Sequence, residues 1–273
     1  MTPAQPHDAQ QLASIASEVA VAAGKRILEL RRGGVAVAAS KSSEVDIVTE
    51  ADRASEQMVV EALLAARPDD GVLGEEGAGI TGTSGITWVI DPIDGTVNYL
   101  YDLPAYAVSI AATVPDTAAS ADGRRAIAGA VFAPRTGELF EAWQGGGSRL
   151  NGSPLAISGK QQLATALVGT GFGYTAERRT EQAAMLSRTL PKVRDIRRSG
   201  SAAYDICSFA AGRLDAFYEH GLQPWDYAAA LLIAREAGAT VIGVDDTTAP
   251  GEPGFFAADA QLVGELRGLV LGA

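Results

Sequence analysis

A single cysteine, two histidines and a deficit of positive charge dispose of several kinds of chemistry before any motif is read. Cys207 has no partner cysteine in the chain, so no internal disulfide can form, which fits a reducing compartment. Only His7 and His220 are present, and a site built on several histidines is ruled out by counting. Lys and Arg number 22 against 33 Asp and Glu, a net charge of -11. No block of like basic residues interrupts that balance, which argues against electrostatically driven binding to nucleic acid or an anionic membrane. No apolar run approaches the length of a membrane span, and residues 1–10 lack the basic-then-apolar plan of a signal peptide. The expected location is the cytoplasm.

What remains is the composition of a soluble enzyme, 47% hydrophobic and 20% charged over 273 residues, with no linker, repeat or low-complexity segment. The most informative stretch is Trp88 to Tyr99, WVIDPIDGTVNY. Trp88, Val89 and Ile90 predict a buried strand that Pro92, lacking an N–H, brings to an end. Asp91 and Asp94 then sit at a strand's carboxyl end, Gly95 suits a tight turn, and Thr96, Val97 and Asn98 open a helix whose free amides face an anion. Two carboxylates this close repel one another unless a cation lies between them, and oxygen-only ligands favour magnesium, manganese or calcium. The competing reading is a plain Asp-Pro, Asp-Gly turn whose aspartates cap amides.

Elsewhere the chain offers scaffolding with a few more candidates. Leu12, Ile15, Ala16, Val19, Ala23, Ile27 and Leu30 recur at helical steps, predicting a first helix that ends near Arg32-Gly33-Gly34, with a short strand at Val35 to Ala38. Thr49 and Asp52 stand at capping-box spacing before another helical pattern. Glu75 and Glu76 leave a strand end in Gly74-Glu75-Glu76-Gly77, either as solvated charge or as ligands, and Gly77 to Gly85 reads as a mobile loop. Ala105 to Val114, Ala126 to Ala133 and Gly137 to Trp143 suggest an antiparallel sheet, and Asn151-Gly152 a hairpin turn. From Ala164 strands and helices alternate: a strand at Leu167 to Gly169, helices at Glu177 to Leu190, Ser201 to Ala211 and Ala228 to Ala237, a strand at Phe255 to Ala258 and a helix capped by Asp259. Ser201 and Asp226 each read equally as helix caps.

Four motifs in this order, around Lys41 to Asp52, Gly74 to Gly77, Trp88 to Tyr99 and GSAAYDIC through YEHGLQPWD, resemble those of the inositol monophosphatase family over nearly the whole chain. The resemblance implies a mixed α+β fold, a five-layered αβαβα sandwich of the sugar phosphatase type. It implies one domain of approximate halves 1–160 and 161–273, commonly as a homodimer. It implies a lithium-sensitive, Mg2+-dependent phosphomonoesterase acting on myo-inositol 1-phosphate. Histidinol phosphate, fructose 1,6-bisphosphate or a nucleotide 3′-phosphate are alternative substrates, and a regulatory partner of the transcription machinery is an alternative of another class.

Carried over by position, Glu75, Asp91 and the Ile93 carbonyl would bind one Mg2+, and Asp91, Asp94 and Asp226 a second, with two or three ions per site. Thr96, oriented by Asp52, and Glu75 would hold the attacking water. Gly95, Thr96, Gly200, Ser201, Ala202 and Glu219 would contact substrate, while Lys41 and Glu76 would stand behind the metals. Glu44 and Ala230 depart from the family pattern, which commonly has proline and glycine there.

Overall fold

In the computed structural model, which describes residues 8–32, 37–40 and 47–272, the chain begins with a 24-residue helix, α1 (Ala9–Arg32). A paired β1 (Val37–Ser40) and β2 (Ile47–Thr49) precede α2 (Glu50–Ala66). Then come β3 (Gly71–Gly74), β4 (Gly79–Ile80), β5 (Thr87–Asp94) and the short α3 (Thr96–Leu100). A meander follows: β6 (Ala107–Pro115), β7 (Arg124–Ala133), β8 (Glu138–Trp143), β9 (Ser148–Leu150) and β10 (Ser153–Pro154). The last part alternates as β11 (Leu167–Thr170), α4 (Ala176–Thr189), β12 (Asp195–Arg197), α5 (Ala202–Ala210), β13 (Ala216–Glu219), α6 (Pro224–Glu236), β14 (Thr240–Ile242), β15 (Phe255–Ala258) and α7 (Val263–Leu271).

Two mixed sheets result. The larger runs β10-β9-β8-β7-β6-β5-β3-β4 and the smaller β12-β11-β13-β15-β14. In the larger, only β3 and β5 pair in parallel; in the smaller, β12, β11 and β13 pair in parallel, and β15 runs antiparallel to its neighbours β13 and β14. The two-residue period of strands sorts their side chains between layers. Trp88 and Ile90 of β5 face α1 and α2, whereas Val89, one position out of phase, faces α5 and α6. In the smaller sheet Phe217, Phe255 and Ala257 pack on that same pair of helices, while Tyr218, Phe256 and Ala258 pack on Val263, Leu266 and Val270 of α7. The layers are therefore α1 and α2, large sheet, α5 and α6, small sheet, α4 and α7, the αβαβα order expected. Strands buried on both faces explain why β5 reads as a continuous apolar run. At Gly24 of α1 an added Cβ would lie 2.3 Å from the Phe132 ring, so glycine permits the close approach of α1 to β7.

Several local expectations are corrected. Pro92 does not end its strand: β5 continues to Asp94, and the register against β6 shifts between Asp91 and Asp94. Gly77 to Gly85 is not a bare loop, because β4 pairs with β3 and the Thr83 and Ser84 amides donate to the Asp69 carbonyl. The helix expected from Ala228 starts at Pro224, which puts Asp226 in its first turn. Asp259 caps the turn before α7 rather than the helix itself, donors being the amides of Gln261, Leu262 and Val263. The Asn151-Gly152 turn joins β9 to β10 with positive φ at both residues, as expected. Lys41 and Glu44 lie outside the described residues. Among the described residues no helix is long and apolar enough to cross a membrane.

Candidate active site and metal centre

Residues three apart on a regular strand point to opposite faces, so Asp91 and Asp94 could not share a site on an unbroken β5. Asp91 pairs with Ser109 and Asp94 with Ala107, three steps on β5 against two on β6, which is one extra residue and hence a bulge. Proline suits this position because a bulged residue has no ladder hydrogen bond to give. The Ile93 amide donates to Asp91 Oδ1 at 2.9 Å, and the Ser55 hydroxyl of α2 donates to the Pro92 carbonyl at 3.3 Å, fixing the bend. Oxygens of Asp91, Asp94 and Asp226 then lie within 4.8 Å of one another.

Gly95 follows with φ 94°, and a Cβ there would meet the Ala105 and Gly200 carbonyl oxygens at 3.0 Å, so both conformation and space call for glycine. Thr96 opens α3, and its hydroxyl lies 3.0 Å from Asp52 Oδ1 and 3.1 Å from the Ile93 carbonyl. One hydroxyl proton serves both acceptors, which leaves the oxygen lone pairs turned elsewhere. Asn98 donates to the Ala105 carbonyl and, at 2.8 Å, to that of Ser199, tying α3 to the entry of α5.

Asp94 does more than the sequence suggests. It accepts the Ser201 hydroxyl at 2.6 Å, the Ala203 amide at 2.6 Å and the Ala202 amide at 3.2 Å, so a carboxylate of the large sheet caps α5. The α5 amides expected to face substrate are thus partly engaged by Asp94. Asp226, the third residue of α6, accepts the Gln223 amide at 2.7 Å, the return half of a capping box at that helix start. For Ser201 and Asp226, capping and presence at the site are both true.

Burial, then the charges of Glu75, Asp94 and Asp226, drive the Asp91 carboxyl well above the usual carboxylate range, and it shares a hydrogen bond with Glu75. Burial, then Asp94 and Glu75, does the same to Asp226. Asp94 is raised by burial, an effect that its Ser201 and α5 amide donors partly offset. Among the described residues none of the three forms an ion pair with a basic side chain. Crowded, buried and uncompensated carboxylates with oxygen-only neighbours fit a hard divalent cation.

A cavity of about 450 Å³ opens on this cluster, lined by Glu75, Asp91, Ile93, Asp94, Gly95 and Thr96 on one side and Arg178 and Asp226 on the other. A second, of about 110 Å³, shares Asp94 and Asp226 and is walled by Gly200, Ser201, Ala202 and Glu219. All the residues expected to meet metal or substrate therefore border one of two adjoining spaces. Glu219 is pushed up to about 8 by burial and then by Asp94 and Asp205, with Arg198 pulling the other way. Glu76 lines neither cavity; its amide donates to Glu56 Oε2 at 2.8 Å.

Glu56 escaped sequence reading. It also accepts the Ala78 amide at 3.0 Å and so holds the turn that carries Glu75. Its signal was available: Asp52, Ser55 and Glu56 place three polar groups at helical spacing on the buried face of α2. Arg178, paired with Glu252 at 3.0 and 3.2 Å, was also missed, and nothing local in the sequence marks it.

A family model, that of the inositol monophosphatase family, matches residues 8–269. Inositol-1-monophosphatase SuhB of Mycobacterium tuberculosis is 48% identical over 212 residues, spanning 74% of this chain and 70% of that protein. Nus factor SuhB of Escherichia coli is 38% identical over 230 residues, 84% of this chain and 83% of that protein. The solved structure of extragenic suppressor protein suhB from Bartonella henselae is similar with a TM-score of 0.86 at 30% identity, covering 95% of this chain and 98% of that one.

Proposed function

Because the chain belongs to the inositol monophosphatase family, a family of phosphatases, we propose that it is a Mg2+-dependent phosphomonoesterase that hydrolyses myo-inositol 1-phosphate or a closely related inositol monophosphate. The observation that carries this reading is the convergence of Asp91, Asp94 and Asp226 within 4.8 Å, on a cavity that Thr96 also lines.

Glu75, Asp91, the Ile93 carbonyl, Asp94 and Asp226 would hold two or three ions. When bound, magnesium offsets charge on the phosphoryl group and lowers the pKa of water. The rest falls to the chain's own groups. The Thr96 hydroxyl, its proton given to Asp52 at 3.0 Å, turns a lone pair toward the attacking water, and Glu75 holds the water's other side. Water attacks phosphorus in line, the ester P–O bond breaks, and one of the water's protons ends on the leaving inositol oxygen while the other stays with the phosphate; no phosphoenzyme is needed. The Gly95 and Thr96 amides receive phosphate oxygens. Glu219, with Gly200, Ser201 and Ala202, meets the ring hydroxyls in the smaller cavity.

Phosphate release from inositol 1-phosphate, histidinol phosphate, fructose 1,6-bisphosphate and a nucleotide 3′-phosphate, with magnesium, with chelator and with lithium, tests this. Preference for inositol 1-phosphate, lost on chelation and inhibited by lithium, is expected. Release that ignores chelation, or none from folded protein given magnesium, overturns it. A homodimer of one-domain subunits in the cytoplasm completes the proposal, with sedimentation and a single unfolding transition as its checks.

The likeness to a Nus factor favours a second reading, a regulatory partner of the transcription machinery. Retention of RNA polymerase by the Asp91→Asn protein would support it, and loss of binding together with activity would not.

A further inference from the structure

Beyond the acidic cluster, toward the carboxyl end of α6, a cavity of about 150 Å³ lies between α6 and the strands β6 and β7. Its floor is Ala126 with Ala228, Leu231 and Leu232, three residues on one face of α6, and Arg235 continues that face one turn on. Arg235 is nine residues beyond Asp226, about 14 Å along the helix.

Most of the wall's other charges are committed; the exception is Asp122 Oδ2, buried without a hydrogen-bond partner and facing Arg124 at 3.7 Å. Arg125 donates to Asp116 at 3.0 Å and to Gln144 at 2.7 Å. Asp122 accepts the Ser120 hydroxyl at 2.6 Å and the Tyr227 hydroxyl at 3.2 Å, and its other oxygen lies 3.7 Å from Arg124. Glu236 accepts the Gly145 and Gly147 amides at 2.8 and 2.9 Å. Arg235 is different: its single hydrogen bond runs to the Ala119 carbonyl at 3.2 Å, and among the described residues no carboxylate pairs with it. Desolvation lowers its pKa, with Asp116 pulling the other way. A guanidinium has five N–H donors in a planar fork, so most of its donors are uncommitted.

We propose that this cavity is a binding site for a small monocarboxylate, its carboxylate on Arg235 and a short apolar tail over Ala126, Ala228, Leu231 and Leu232. The fork matches a planar carboxylate, and a single cation without a carboxylate partner, on a wall that also carries Asp122 and Glu236, suits a monoanion rather than a phosphate dianion. The volume equals about five waters at roughly 30 Å³ each, room for a tail of about three to five carbons. This site is independent of the phosphatase reading and stands or falls without it.

The test is titration of the full-length, magnesium-loaded protein with acetate, butanoate, hexanoate and n-butanol, read by NMR of the leucine methyl groups. Butanoate and hexanoate are expected to shift Leu231 and Leu232, each added methylene tightening binding about three- to fourfold until the cavity is full. Butanol, lacking charge, should bind at least about tenfold more weakly, and Arg235→Gln should weaken butanoate by at least about tenfold. Leu231→Trp, which fills the cavity, should abolish the shifts; should it fail to fold, Arg235→Gln decides alone because Arg235 is exposed overall. Equal affinity in Arg235→Gln and wild type, or shifts that disappear in the Asp91→Asn protein, would overturn the proposal.

Discussion

Asp94 and Ser201, 107 positions apart, are joined by a 2.6 Å hydrogen bond that links the end of β5 to the start of α5. One carboxylate thus belongs both to the three-aspartate cluster and to a helix cap. Ser201→Ala should cost about 1 kcal/mol of stability, as for other N-caps. It should also raise the magnesium concentration needed for half-maximal phosphate release, since Asp94 loses a restraint. Denaturant unfolding and a magnesium titration separate the two effects. An unchanged magnesium requirement would leave Ser201 as a cap alone.

Asp91→Asn should lower turnover about 100-fold or more, the scale on which metal-site substitutions act. Removing one charge from three crowded buried carboxylates should at the same time stabilise the metal-free protein. Melting curves with and without magnesium are the check: a higher melting temperature without the ion, and a smaller rise when it is added. A drop in both would count against a cation between these acids.

Glu219→Gln should raise KM for inositol 1-phosphate by more than it changes the magnesium requirement, because the residue walls the smaller cavity beside Asp94 rather than joining the three-carboxylate cluster. Steady-state kinetics at several magnesium concentrations measures both. Equal changes in the two would argue against a substrate role.

Glu138 of β8 accepts the Arg213 guanidinium, the Tyr204 hydroxyl at 2.8 Å and the Thr136 hydroxyl at 3.0 Å. Burial raises its pKa, but these donors outweigh burial and hold the carboxyl below its ordinary value. Because the folded pKa is the lower one, its stabilisation is complete above the unfolded pKa and fades as pH falls through the folded value. Glu138→Gln should therefore cost about 1–2 kcal/mol near pH 7, and the two proteins should converge in acid only once the pH has fallen below the lowered folded value. Urea unfolding across pH tests this, and a difference constant with pH would contradict it.

The parts of the site that sequence exposed are those written locally. Strand-forming Trp88 to Ile90 and the turn at Gly95 act within a few residues and appear where expected, whereas β5 runs on past Pro92 to Asp94 and α6 starts at Pro224 rather than Ala228. What stayed hidden depends on partners far along the chain. The bulge at Pro92 exists because β6 pairs on both sides of it; proline alone reads as a stop. Asp94 becomes a cap only when α5 arrives from the next sheet. Arg178 reaches the cavity through the placement of α4, and Arg235 is set apart only by where its neighbours spend their charges. Glu56 is the exception, legible as a polar residue on an apolar helix face and passed over.

Helix α2 ends up as a gauge. Asp52 and Glu56 sit four residues apart on it, about 6 Å along the axis. One grips Thr96 and the other the turn after Glu75. The gap between the Glu75 and Thr96 sides of the acidic cavity is therefore metered by a helical pitch, which main-chain hydrogen bonding keeps constant. Lengthening or recomposing the intervening 79–86 segment leaves that measure untouched, whereas inserting one residue between Asp52 and Glu56 would rotate one grip out of reach while every side chain that lines the cavity remained in the chain.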